Sequence, residues 1–248
     1  MISVPGFVLN ELSAYSVGHS SPAGYSFYIY GVVGSGKTQY VKDLIRIVRH
    51  RVLIFDYEGE YTEYPEVRVA LPRSLLTVDV VQDLLNTDAA YTEYVADYLR
   101  GEDVDLEELT KSQRVHFERA VRRLGKLMSG DDLITALNTY DRIRVVPVHD
   151  FRYAQLVLLV SSLLNRWREI RRDRIGTLVV LEESEGLERY DTRHAIPSLI
   201  FQGRKRGIVF LLIGHRSPAA LRKSAWGRDV LSNMFGVYHF EKGVLVNG

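Results

Sequence analysis

The sequence predicts an α/β fold, a mostly parallel sheet flanked by helices and interrupted by a helical insertion. Three observations predict it. Short apolar runs have the length and β-branched content of buried strands: SFYIY (Ser26–Tyr30), RVLIFD (Arg51–Asp56), TLVVLEE (Thr177–Glu183) and GIVFLLIG (Gly207–Gly214). Segments between them repeat apolar residues at helical spacing, and strands that alternate with helices imply parallel pairing. A charged stretch from about 74 to 140 has helical periodicity and no strand.

Residues 1–25 hold several turn formers, among them Pro5, Gly6, Gly18 and Pro22, and read as an irregular lead-in. The domain proper is then 26–248. After the first strand, Val41, Leu44, Ile45 and Val48 line one face of a helix over Lys37–His50. In the insertion, Leu84, Leu85, Tyr91, Tyr94, Val95 and Tyr98 mark one helix or two. Gly101–Glu108 is acidic and Lys111–Lys126 strongly basic. The core resumes with a strand at Arg144–Val148. A long helix follows from Phe151 to about Asp173, with Leu156, Leu159, Val160, Leu163, Trp167 and Ile170 on one face. His194–Lys205 is helical, and GVYHFEKGVLV reads as a hairpin around Lys242–Gly243.

The 248 residues suffice for a sizeable core, and 46% hydrophobic with 25% charged residues is ordinary for a globular chain. A net charge of +1 excludes a global polybasic field, so any nucleic-acid contact rests on local patches. The absence of cysteine excludes disulfides, thiolate metal sites and thiol catalysis. The longest apolar run is far short of a membrane span. The N-terminus lacks a basic start and carries Glu11, which makes it a poor signal peptide. A cytoplasmic location is expected.

The chemistry starts at GVVGSGKT (Gly31–Thr38), which matches G-x-x-x-x-G-K-[ST] between a strand and a helix. Gly31, Gly34 and Gly36 let the backbone turn so that N–H groups converge on a phosphate, with Ser35 and Gln39 beside them. Lys37 supplies a point charge and Thr38 a hydroxyl for Mg²⁺. The helix dipole points the same way. ATP and Mg²⁺ are the expected cofactors.

TLVVLEES runs four apolar residues into Glu182 and Glu183, and sites in parallel sheets form at strand carboxyl ends. Glu182 stands where an acid holds the Mg²⁺ shell, and Glu183 is placed to orient water. A solvated acidic turn is the plain alternative. His215, at the tip of the 208–213 strand, is placed to sense the terminal phosphate. Arg204, with Arg206 as rival, is the candidate arginine supplied to a neighbouring subunit's nucleotide.

Together these segments resemble the HerA/FtsK superfamily of hexameric DNA-pumping ATPases, its HerA branch in particular. LIFDYEGEY (Leu53–Tyr61), with Asp56, Gly59, Glu60 and Tyr61, fits that branch's Asp-x-x-Gly-Glu-Tyr pattern. The paired glutamates fit it too, as does GRKRGIVFLLIGHRSP (Gly203–Pro218). The usual Gln at the sensing tip is His215 here. The N-terminal barrel of cellular members has no room in about 25 residues, so a stripped motor domain is expected, similar to packaging ATPases of some viruses or motors of mobile elements. The resemblance implies a RecA-like P-loop core, a hexameric ring and ATP-driven translocation of double-stranded DNA. It also implies pore-loop contacts, for which Arg189 and Arg193 in EGLERYDTR are candidates. RWREIRRDR (Arg166–Arg174) reads either as a DNA patch or as cations complementing a helix end. The basic stretch 111–126 pairs with the acidic 101–108 or meets a partner. Two other activities fit a phosphate loop: an ATPase motor acting on protein, and a nucleotide-switched interaction module.

Overall fold

Seven strands form one sheet in the computed structural model, which describes residues 26–241 and 243–247. The lead-in expected over 1–25, and Lys242 of the expected hairpin, lie outside the described residues. The described chain begins with strand β1 (Ser26–Tyr30), a glycine-rich loop, helix α1 (Lys37–Ile47) and strand β2 (Arg51–Phe55). Helices α2 (Val78–Leu85), α3 (Tyr91–Arg100), α4 (Lys111–Gly125) and α5 (Leu133–Thr139) come next. They lead to β3 (Arg142–Val145), α6 (Arg152–Asn165), β4 (Thr177–Leu181), α7 (Ala195–Gly203) and β5 (Ile208–Gly214). Helices α8 (Pro218–Leu221) and α9 (Ala225–Ser232) precede the hairpin of β6 (Met234–Glu241) and β7 (Val244–Asn247).

The strand order is β3-β2-β4-β5-β1-β6-β7. Six strands run parallel; β7 pairs antiparallel with β6 at the edge. This is the α/β architecture, a mostly parallel sheet flanked by helices, that the sequence predicts. The chain leaves β1, crosses to β2 and β3, then returns to fill the gap with β4 and β5. The loops after β1 and β4 therefore open on one crevice at the sheet's carboxyl edge.

Alternate residues of each strand feed opposite faces. Phe27, Ile29, Val52, Ile54, Leu178, Val180, Leu211 and Ile213 pack on α1 through Tyr40, Val41, Leu44 and Ile45. Tyr28, Leu53, Phe55, Val179, Leu181, Phe210 and Leu212 pack on the other face against α6, α7 and α9. Side chains of α2 to α5, including Val81, Val95, Phe117 and Leu137, belong to that same cluster. The helices between β2 and β3 are thus continuous with the main core.

Three expected boundaries need correction, the first at α1, which ends at Ile47 and not at His50. The strand expected at Arg144–Val148 is Arg142–Val145, because Pro147 has no N–H to give the ladder. The helix expected to reach Asp173 ends at Asn165. Beyond it, Asn138 at the end of α5 takes the backbone: its Nδ2 donates to Glu169 O at 3.0 Å and its Oδ1 accepts from Arg171 N at 2.9 Å. Arg166 caps the end of α6, its N donating to Ser162 O at 2.9 Å, but the arginines after it do not sit on that helix end. Arg166 pairs with Asp132 and Glu169, and Arg174 with Asp141. Nor does the acidic 101–108 segment pair with α4; Arg100 and Tyr94 hold Glu102 and Glu108 instead.

One buried carboxylate ties the helices behind the crevice together. Asp191, 1% exposed, accepts from Ala195 N at 2.6 Å, Ile196 N at 2.9 Å, Tyr153 OH at 2.8 Å and Trp226 Nε1 at 2.8 Å. It caps α7 and joins it to α6 and α9. Asp191→Ala strands four donors in the core and is expected to cost about 3–5 kcal/mol in denaturant unfolding.

Candidate functional site

The loop after β1 is shaped by what its glycines allow. Gly34 and Gly36 have φ of +75° and +96°, the left-handed region. A Cβ on Gly31 would stand 2.3 Å from Phe240 O at the end of β6. The backbone at Gly31 thus packs against β6 closely enough to exclude any side chain there. Gly36 immediately precedes α1, whose N-terminal N–H groups face the crevice.

Phosphate loop and acids line one cavity of about 330 Å³. Its walls hold Gly34, Gly36, Lys37 and Thr38 from the loop and Glu182 and Glu183 from the end of β4. Gly214 and His215 come from the end of β5. Strand β4 is one strand removed from β1, with β5 between them, so side chains at all three strand ends reach the same space.

Lys37 Nζ donates to Gly31 O at 2.7 Å and Val32 O at 3.0 Å, and lies 3.4 Å from His215 Nδ1. Burial lowers its pKa, opposed by Glu182, Glu185, Glu183 and Glu60. His215 Nδ1–H donates to Gly31 O at 3.0 Å, while its Nε2 is 3.8 Å from Glu183 Oε1. Glu183 is exposed and itself left-handed, with φ +46°.

Glu182 is buried and accepts a 2.5 Å hydrogen bond from Tyr61 OH. Its pKa is raised to about 7, first by desolvation and then by Glu60, against the lowering effect of hydrogen bonds from Tyr61 and Thr38. The Asp-x-x-Gly-Glu-Tyr segment builds this contact. Asp56, fully buried, accepts Glu60 N at 2.8 Å and Tyr61 N at 3.2 Å, and Arg144 Nη1 donates to it at 3.1 Å. That turn aims Glu58 and Glu60 into the cavity and slides Tyr61 under Glu182. Sequence reasoning gave these residues no role at the site, although the motif itself was legible.

The residues fit a phosphate chain with a divalent cation. Ser35 Oγ is buried without a hydrogen-bond partner, in the loop where a phosphate oxygen would accept from it. Glu60 and Glu182 repel one another beside the Thr38 hydroxyl, the charge arrangement a cation relieves.

Other predicted residues lie elsewhere. Gln39 points away, its Nε2 donating to Asp43 Oδ1 at 3.1 Å. Arg204 and Arg206 occupy the turn before β5, the opposite end of that strand from His215, about 20 Å away at strand rise. They cannot reach their own chain's cavity. Arg189 is exposed, its guanidinium 4.6 Å from the Tyr190 ring centre, and Arg193 pairs with Asp83 at 3.4 Å.

A family model described as the type IV secretion-system coupling protein DNA-binding domain matches residues 23–68, the span from β1 through the Tyr61 turn. No curated protein matches. Among solved structures, the unbound bacterial conjugative coupling protein TrwB is 13% identical over 92% of this chain and 74% of its own, with TM-score 0.47. TrwB with ADP and Mg²⁺ is 12% identical over 96% and 77%, TM-score 0.48. VirB4 of Thermoanaerobacter pseudethanolicus is 17% identical over 86% and 76%, TM-score 0.47. No helix among the described residues is long and apolar enough to cross a membrane.

Glu182 yields a pH-dependent expectation. Its pKa is higher folded than unfolded, so the folded state holds its proton more tightly. The stability it contributes is complete below about pH 4.5 and is lost as pH rises through about 7. The loss is on the order of 3 kcal/mol. In metal-free, nucleotide-free buffer, Glu182→Gln should melt with the parent near pH 5 and several degrees above it at pH 8.

Proposed function

We propose that the chain is an ATPase motor that drives double-stranded DNA, with ATP and Mg²⁺ bound in the crevice between the phosphate loop and Glu182/Glu183. One observation carries this reading: Lys37, Thr38, Glu182 and Glu183 line a single cavity. The match of residues 23–68 to a coupling-protein DNA-binding family supports DNA as the driven polymer.

In this reading Gly34 and Gly36 present backbone N–H groups and Ser35 its hydroxyl to the phosphates, on a loop anchored where Gly31 N donates to Gly214 O. Lys37 exchanges its two carbonyl acceptors for phosphate oxygens. Thr38 and Glu182 hold the cation, which supplies charge neutralisation for the departing phosphate. Glu183 orients and deprotonates the attacking water, and His215 contacts the terminal phosphate from the neighbouring strand tip.

Arg204, or else Arg206, completes the site of the next subunit in a hexameric ring, since neither reaches its own. Arg189 and Arg193 on the segment after the acids touch DNA phosphates without reading sequence. The motor works in the cytoplasm, and genome packaging or transfer of a mobile element's DNA is its task. Residues 26–248 form the motor domain, with the helices of 74–140 inserted in it.

The test is ATPase rate with and without linear double-stranded DNA. Stimulation is expected, and its absence with every nucleic acid tried would favour a protein cargo. Glu183→Gln should bind ATP with parental affinity and lose about 100-fold or more in turnover. Lys37→Ala should lose nucleotide affinity itself; tight ATP binding by that variant would remove the phosphate-loop assignment.

A further inference from the structure

Strand β5 outruns β4 and ends level with β1. Its last partner on β4 is Leu212 against Leu181, and on β1 Gly214 against Tyr30. The N–H groups of His215 and Arg216 therefore have no ladder to join. A single carboxylate oxygen takes both. Glu185 Oε1 accepts from His215 N at 2.6 Å and Arg216 N at 2.5 Å, and from Tyr28 OH at 2.5 Å. Tyr28 OH also lies 2.9 Å from Arg216 O, so the same phenol grips the turn from beneath.

The approach is close on every side. A Cβ on Gly214 would stand 2.2 Å from Glu185 Oε1 and 2.5 Å from Tyr28 OH. Ser184, next to Glu185, donates from Oγ to Ile213 O at 3.3 Å. Glu185 is itself two residues past Glu183, whose left-handed backbone is a conformation that surrounding contacts must hold. Arg216 completes the lattice through Glu188 at 2.6 Å.

We propose that Glu185 is the positioning residue of this site: it fixes the turn after β5 and thereby holds the His215 ring between the phosphate loop and Glu183. The ring spans that gap only because its backbone is pinned. Its Nδ1 reaches Gly31 O and its Nε2 faces Glu183, at the distances given above. An unpinned turn would let the ring leave the cavity while the phosphate loop, built on β1 and α1, stayed as it is. The proposal rests on the ATPase reading for its catalytic consequence and on geometry alone for the placement of His215.

Two readouts separate these. In nucleotide-free protein labelled with ¹⁵N-histidine, the His215 imidazole signals, assigned with His215→Gln, should shift in Glu185→Ala and less in Tyr28→Phe. Glu185→Gln keeps an acceptor oxygen and should restore them. In single-turnover hydrolysis Glu185→Ala should fall about 10- to 100-fold, with affinity for ADP within about threefold of the parent. Glu185→Gln should recover most of that loss. Unmoved His215 signals in Glu185→Ala would overturn the proposal, as would an ADP affinity that fell as far as the rate. If Glu185→Ala does not fold, Tyr28→Phe decides by the same signals. A parent chain without ATPase activity would sink the functional reading, and the His215 signals would still test the placement.

Discussion

Glu182 is a carboxylate forced into a place that disfavours its charge, and much of the site is arranged around that fact. It ends a strand whose five residues are all buried, so it starts from a dry environment. Glu60 adds repulsion. What makes the position tenable in the free chain is Tyr61, whose phenol is itself held well above its ordinary pKa by burial and by Glu182. Tyr61 is there because Asp56 draws the backbone of residues 60 and 61 back on itself, and Asp56 is charge-balanced by Arg144 on β3. A chain of contacts thus runs from the edge strand to the cavity. Its strain is relieved by whatever brings positive charge, which is the property a site for a metal-bound phosphate chain needs.

The sheet was legible in the sequence because its buried strands are short apolar runs between punctuating residues. TLVVL and GIVFLLIG have no other plausible home than the middle of a parallel sheet, and they lie side by side there. The phosphate loop was legible because its chemistry is local: eight consecutive residues contain the turn, the charge and the hydroxyl. Helix ends were less so. Nothing near Asn165 announces a stop; the stop comes from Asn138, in another helix, taking backbone groups that a continued helix would have used.

The supports of the site were hidden for the same reason. Glu185 and Tyr28 are 157 positions apart, and Asp191 is 35 from Trp226. A glutamate after two others reads as one more charge on an acidic turn, and an aspartate between Tyr190 and Thr192 as a loop residue. Only the strand order puts their partners within reach. The cavity carboxylates Glu58 and Glu60 were visible within a motif, but their direction depends on the turn that Asp56 nucleates. Sequence reading named groups that line the cavity more readily than those that hold them still.

Lys37 illustrates how such a site stays ready without collapsing. A buried ammonium beside four glutamates could fold onto any of them. Two of its protons go to the carbonyls of Gly31 and Val32, the loop's own backbone. Those are neutral acceptors. A lysine locked to Glu182 would surrender a charged pair when phosphate arrives, a costly exchange in a dry pocket. Here it exchanges two hydrogen bonds to neutral acceptors for bonds to anionic oxygens, and the carboxylates are not tied to it. The loop carbonyls thus keep the one cation and the several anions of this cavity apart, which lets each meet its own part of a metal-bound phosphate chain.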